Sequence, residues 1–363
     1  MTSPAYPLAR KAARRVHPHY ARHLADPESS LQPPLLPDVE TVEAMIDAAF
    51  WASLRREEGF TPRVSLAFVH PSMLPLPLTF EKPVPLAAQP LTRLGPAVER
   101  PGIHLCVSRE NDDLVVWGAA RNLPRFCFVL EVVAPGLLIL KHSRGDDSGK
   151  FVNVAVLEGE EVKVIDQHAA RAYESDSPDT VNVTMQLAVS MRDHGRGGTL
   201  LMVPSLAGTW RESILHPIRY SVAPAFRGLV NLMNEDPGER SGLRWQEALR
   251  RAIAGIAGLT AVDGATIMTE NYELVAFGAK IIRPRGRPNV GNVVITEPIE
   301  GAEPAVADPG RLGGTRHLSA AQFAHDQRDA IALVASQDGH FTFFAWSAHD
   351  QMVRASRVET LLL

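Results

Sequence analysis

Asp263-Gly264-Ala265 and, about fifty residues later, Gly313-Gly314-Thr315-Arg316-His317-Leu318-Ser319-Ala320 are the segments whose residue types could do chemistry. The first sets a carboxylate and a glycine inside an apolar run, and carboxylate oxygen is the donor that hard divalent cations prefer. The second sets a glycine turn, a guanidinium and hydroxyls at what reads as a helix start, where free backbone N–H groups attract anions. A metal-binding carboxylate beside an anion-binding helix start is a means of holding a phosphorylated molecule.

These segments need regular elements around them. Trp245, Leu249, Ile253 and Ile256 recur at helical spacing, and Gly258 ends that helix shortly before Asp263. The run 261–268, the turn at Glu270-Asn271 and the run 274–282 read as a hairpin with Asp263 at or near its first strand. Residues 180–194 read as a helix, 199–203 as a strand stopped by Pro204, and 226–233 as a short helix. A loop rich in arginine, glycine and proline follows, then the glycine turn, a helix to about Asp326, and strands 330–336 and 340–346. A mixed sheet flanked by helices accounts for this order, and 171–363 is assigned as one domain.

Upstream the texture changes. Residues 1–37 are punctuated by proline and read as an irregular segment, whose Arg10, Lys11, Arg14, Arg15 and Arg22 are read as a solvated or frayed tail, with contact to an anionic partner as the alternative. Asp38 is placed to cap a helix carrying Val42, Met45, Ala49 and Phe50 on one face. The prolines from Pro71 to Pro101 predict an extended surface connection. Strands over 104–108, 114–118, 126–133, 137–140, 151–157 and 162–165, divided by turn residues, predict an antiparallel sheet and make 38–170 a helix plus strand-rich domain. No internal repeat is visible. The fold class is α+β: a mixed sheet flanked by helices in the C-terminal half, preceded by a strand-rich N-terminal region.

Bulk properties narrow the function classes. A net charge of -4 over 363 residues argues against a nucleic-acid partner held by bulk electrostatics, and leaves room for a small anion at a local basic site. Cys106 and Cys127 sit among apolar residues and lack metal-ligand spacing, which fits a reducing cytoplasm. No apolar run approaches membrane-spanning length, so no membrane partner is expected. Neither a Gly-x-Ser-x-Gly elbow nor a glycine run followed by a P-loop lysine occurs, which disfavours a serine hydrolase and an ordinary ATPase.

Together, the Asp-Gly-Ala segment and the Gly-Thr-Arg-His-x-Ser-Ala segment resemble the diadenylate cyclase (DisA-type, DAC) domain over roughly residues 180–350, and in particular the cyclase-related nucleotide sensor domains of the DACNV type. The resemblance implies a DAC-like fold that binds an adenine nucleotide or cyclic dinucleotide through Asp263, Gly264, Ala265, Gly314, Thr315, Arg316, His317 and Ser319. It gives Asp263 the Mg²⁺ or Mn²⁺, and it makes Asp263 and Arg316 catalytic if the chain turns ATP over. In the family two such sites meet face to face in a homodimer and condense two ATP to cyclic di-AMP. The enzymes carry Arg-His-Arg where this chain has Arg316-His317-Leu318, so one phosphate-binding guanidinium is missing. Such a loss removes on the order of several kcal/mol of transition-state stabilisation unless another group replaces it. The N-terminal region also differs from the membrane helices and DNA-binding modules that accompany the enzymes. Both departures favour a sensor in bacterial signalling or defence, acting on an effector protein or as a homodimer. An active cyclase is the alternative.

Other readings stand beside these. Asp263-Gly264 can be a plain turn, His317 a satisfied helix-start histidine, and Gly313-Gly314 a tight connection. Arg283, Arg285 and Arg287 form a candidate phosphate-contacting loop or a solvated run. His194 and Arg196, in a glycine-rich turn, can reach a ligand or merely close a helix. Arg144-Gly145-Asp146-Asp147 and the pair Asp166 and His168 are read as surface loop, and Trp51 and Trp117 as packing residues.

Overall fold

The structure, a computed structural model, describes residues 4–24, 36–56, 59, 61–100, 102–144, 151–173, 182–236, 238–240 and 242–363. The chain divides into two compact units, residues 1–167 with Leu363 and residues 168–362. In the first, α1 (Pro7–Leu24) buries Ala9, Ala12, Ala13, Val16 and Tyr20 along one face. The segment read as irregular therefore holds a helix, though residues 25–35 of it lie outside the described residues. Nor are its basic residues a frayed tail. Arg15 donates to the Val162 carbonyl at 2.8 Å, and Arg10 lies 3.7 Å from the Glu43 carboxylate.

Helix α2 (Val39–Ser53) begins at Asp38, whose carboxylate accepts from the Thr41 backbone N–H at 2.7 Å. Next come β1 (Ser65–Phe68), β2 (Leu78–Pro85), α3 (Ala88–Val98), β3 (His104–Glu110), β4 (Asp113–Ala120), β5 (Phe128–Ala134), β6 (Leu137–Ser143), β7 (Phe151–Glu158) and β8 (Glu161–Val164). The proline-rich stretch is thus a strand and a helix, where an extended connection was expected. Pro83 and Pro85 are tolerated because β2 is an edge strand, and Pro90 because it sits in the first turn of α3. The sheet order is β2-β4-β3-β1-β5-β6-β7-β8. It is mixed where an antiparallel sheet was expected, because β1 and β3 run parallel. Leu66, Leu105 and Leu130 face the helices, while Ala67, Cys106 and Val129 face a smaller cluster around Trp117. Trp117 donates its indole N–H to the Val69 carbonyl at 2.9 Å, as a packing residue does.

After one turn of helix, α4 (Gln167–Ala170), the second unit runs α5 (Val183–Asp193), β9 (Gly198–Val203), β10 (Tyr220–Phe226), α6 (Gly228–Met233), α7 (Leu243–Leu259), β11 (Ala265–Thr269), β12 (Leu274–Ala279), β13 (Val293–Thr296), β14 (Ala305–Ala307), α8 (Thr315–Asp326), β15 (Ile331–Ala335), β16 (Phe341–Ser347) and β17 (Met352–Arg357). Residues 180 and 181 of the expected helix lie outside the described residues. The sheet order is β10-β12-β11-β9-β15-β16-β17-β13-β14. Leu201, Ile267, Ala332 and Val334 pack with Ala320, Phe323 and Ala324 of α8; Leu200, Met268 and Leu333 pack with Leu187 of α5 and Leu249 and Ile253 of α7. This is the mixed sheet flanked by helices that the sequence predicts.

The two units repeat one topology, which corrects the reading that the chain holds no internal repeat. A central strand (β1 or β9) pairs parallel with β3 or β11 and antiparallel with β5 or β15. The parallel partner forms a hairpin with β4 or β12, and β2 or β10 adds on antiparallel at the edge. Even the irregularity recurs. From Thr79 to Val84 the edge strand advances five residues while its partner advances two, Gly118 to Val116, and Ser221 to Phe226 against Ala276 to Leu274 repeats that mismatch. Between the fourth and fifth strands of the repeat, the first unit has only residues 121–127, whereas the second inserts β13, β14 and α8. The helix that opens with Gly-Thr-Arg-His belongs to the second unit alone.

Candidate functional site

Thr260 ends α7 by donating its hydroxyl to the Ala257 carbonyl at 2.7 Å, and the chain turns into β11 with Asp263 exposed on the turn. Asp263 makes no ion pair among the described residues. Gly264 has φ +107°, and a Cβ there would lie 2.6 Å from the Gly278 carbonyl carbon and 2.8 Å from the Ala279 oxygen. Its glycine lets β11 start against β12, a structural need distinct from the ligand approach that the resemblance implies. Ala265 pairs with Thr199 and Ala279, and its methyl is buried in the core.

At the other segment, Gly314 caps α8 with no side-chain hydrogen bond, which leaves the first-turn N–H groups without a side-chain acceptor. His317 is 3 % exposed, its ring edge-on to Phe344, and a Cβ on Gly313 would lie 2.4 Å from its Nδ1. Gly313 is thus what admits the imidazole. The buried Nε2 of His317 has no hydrogen-bond partner among the described residues, so His317 is not the satisfied histidine of the bland reading. Burial, then the charges of His340 and Arg357, hold its pKa below the usual value. Ser319 donates to the Thr315 carbonyl at 2.8 Å, which commits its proton to the helix. Thr315, Arg316 and Leu318 are exposed.

Both segments lie at one end of the second sheet. The Arg316 Nη1 lies 3.2 Å from where a Cβ on Gly197 would be, beside the Ala335 carbonyl and Gln337. Two residues on, Thr199 pairs with Ala265, which follows Asp263 and Gly264. His194 closes the arrangement: its Nε2 bonds Thr260 Oγ1 at 3.1 Å and its Nδ1 accepts from the Arg196 backbone N–H at 3.1 Å. Across the ends of β16 and β17, Arg357 bridges Glu297 at 2.7 Å and Glu359 at 3.0 Å, with His340 at 3.3 Å. Residues as far apart as Gln337, His340 and Arg357 carried no motif and become visible only once the strands are aligned.

The arginine loop behaves differently. Arg283 bonds Asn289 within the loop, while Gln322 accepts from the Val290 N–H at 2.8 Å and donates to the Pro288 carbonyl at 3.2 Å. The loop leaves β12 at the site end of the sheet but is tied to the middle of α8, with Arg285 and Arg287 exposed.

Among the described residues no three His, Cys, Asp or Glu side chains come together as a metal site. Among those residues Asp166 and His168 meet no third ligand, and Gly145, Asp146 and Asp147 lie outside the described residues. Asp263 alone cannot complete a coordination shell. It fits a Mg²⁺ or Mn²⁺ ion that arrives with phosphate oxygens and waters, the usual habit of Mg²⁺ at nucleotides. The thiols offer no chemistry, since burial pushes Cys106 up to about 12 and Cys127 higher still. A cleft of about 520 Å³ in the first unit is lined by Glu40, Leu86, Arg109 and Asp113, but the Arg109 guanidinium is already engaged by Thr41, Asp38 and the Asp112 carbonyl.

Comparison with known proteins places a family likeness on the first unit. Residues 31–121 match the model of DACNV, a probable sensor domain. The match falls on α2 through β4, outside the segment that carries the Asp-Gly-Ala and Gly-Thr-Arg-His residues. No curated protein matches the chain. Among solved structures, a hypothetical membrane spanning protein from Bacillus cereus is similar at 13 % identity, over 52 % of this chain and 69 % of that one, with a TM-score of 0.30. No helix among the described residues is long and apolar enough to cross a membrane.

Proposed function

We propose that the chain is a cytoplasmic nucleotide sensor whose second unit binds an adenine nucleotide or cyclic dinucleotide at the end of its sheet. The observation that carries this reading is the convergence of the Asp263 turn and the α8 N-terminus on the 194–198 turn between them. Phosphate oxygens would be held by the backbone N–H groups of Thr315 and Arg316 at the start of α8 and by the Arg316 guanidinium. Asp263 would hold Mg²⁺ or Mn²⁺, which would neutralise part of the phosphate charge. The buried Nε2 of His317 supplies one more unused polar atom in that helix turn. The match of the first unit to a probable sensor domain supports the coarser half of the reading, sensing. Exposed Leu318 gives the site no second guanidinium within α8, which favours binding over turnover.

Thermal shift and calorimetry with ATP and cyclic di-AMP, each with and without Mn²⁺, test the reading. Binding is expected, and Arg316→Ala should weaken it by about tenfold or more, the size of one charge-assisted phosphate contact. A parent protein that none of these ligands stabilises would sink the proposal. Asp263→Asn keeps the shape and removes the charge, so it should abolish the gain in affinity that Mn²⁺ gives the parent. An equal metal effect in parent and variant would take the ion away from Asp263.

A further inference from the structure

If two guanidiniums are to hold phosphate here, the second must come from outside α8. We infer that Arg196 supplies it: the turn Gly195-Arg196-Gly197 forms a third wall of the site, and Arg196 binds the ligand's phosphates. This rests on the nucleotide reading and goes beyond it in naming the residue and in setting the arginine loop aside.

The turn lies between the two motif segments and is fastened to both. On one side His194 bonds Thr260 Oγ1, and Gly198 packs so closely that a Cβ would sit 2.6 Å from that oxygen, three residues before Asp263. On the other, Arg316 abuts Gly197, and Gln337 Nε2 donates to the Arg196 carbonyl at 3.4 Å. The turn is also built before any ligand arrives. Gly195 and Gly197 have φ +64° and +69°, which L side chains avoid, so the arginine is held between two glycines. Because Thr260 gives its own proton to the Ala257 carbonyl, it accepts from His194 Nε2, and this leaves Nδ1 free to accept from the Arg196 N–H.

Arg196 is exposed and makes no ion pair among the described residues, so its charge is uncommitted. Its cationic neighbours are committed: Arg357 to Glu297 and Glu359, and Arg192 to the Gly339 and Leu362 carbonyls. The loop with Arg285 and Arg287 is fastened to Gln322 in the middle of α8.

Calorimetric titration of ATP and adenosine into the parent, Arg196→Ala, Arg196→Lys, Arg316→Ala and an Arg285→Ala/Arg287→Ala double variant tests this. Arg196→Ala should weaken ATP about tenfold while leaving adenosine within about twofold, and Arg196→Lys, a point charge without the planar fork, should recover part of the loss. The double variant should bind ATP within about twofold of the parent. If Arg316→Ala weakens ATP and Arg196→Ala does not, the inference is overturned and the nucleotide reading survives. A loss confined to the double variant gives the role to the arginine loop. A parent that binds neither of these ligands overturns the inference, and one that cyclic di-AMP also fails to stabilise removes the nucleotide reading as well.

Discussion

Gly264→Ala is expected to destabilise the second unit by about 3 kcal/mol. A left-handed conformation for an L residue costs roughly 1–2 kcal/mol, and overpacking against fixed atoms costs a further 1–3 kcal/mol. Both apply here, since φ is +107° and the new Cβ would meet backbone atoms of Gly278 and Ala279 at 2.6–2.9 Å, which cannot swing aside as a side chain would. For a unit of this size the loss corresponds to a drop of on the order of 6–12 °C in the melting temperature. Gly286→Ala is the control: φ is +80° there too, but nothing lies within 4 Å of its Cβ, so only the smaller conformational cost applies. A Gly264→Ala protein that melts with the parent yet loses nucleotide binding would return this glycine to the ligand.

The second large effect is expected in acid and in the first unit. His104 is 2 % exposed, its Nδ1 bonded to Ser65 Oγ at 2.8 Å and its Nε2 without a hydrogen-bond partner among the described residues. Burial, and then the Lys141 ammonium, lower its pKa from 6.5 to about 4, against an opposing pull from Glu131. The unfolded chain binds a proton below about pH 6.5 and the folded one only near pH 4, so stability is full above that window and falls as the pH drops through it. The loss across the window is on the order of 3 kcal/mol. His104→Gln keeps a partner for Ser65 and removes the titration. Urea unfolding from pH 7 to pH 4 should therefore show a steeper decline in the parent than in the variant, and parallel declines would refute the assignment.

How much was legible in the sequence depended on the range of the signal. The helix with Trp245, Leu249, Ile253 and Ile256 declared itself because large apolar side chains recur at its period, and α8 because a glycine turn precedes it. Helix α1 did not, since its buried stripe is mostly alanine and Pro18 interrupts it. The proline-rich stretch misled for a related reason: proline forbids a central strand but not an edge strand or a first helical turn. In the site, Asp263 and Arg316 could be picked out by residue type, but the reach of Arg316 to Gly197 depends on pairing between β9, β11 and β15, which no local pattern encodes. The resemblance gives Ser319 and Gly264 to the ligand, and the structure adds a local role for each: the hydroxyl bonds a helix carbonyl and the glycine permits a strand crossing. The duplicated topology stayed hidden because the residues its halves share are few and local: Glu110, Asn111, Leu114, Val115, Gly118 and Ala119 recur as Glu270, Asn271, Leu274, Val275, Gly278 and Ala279.

The margins of the two sheets bear on how this protein can meet others. The first sheet ends in β2, with Pro83 and Pro85, and in β8, of four residues; the second ends in β10, with Pro224, and in β14, of three. A foreign strand laid along any of these would find missing donors or too short a ladder to hold it. Aggregation by edge-to-edge growth is thus hindered at all four margins. The same obstruction makes strand addition the mode of association that these margins oppose.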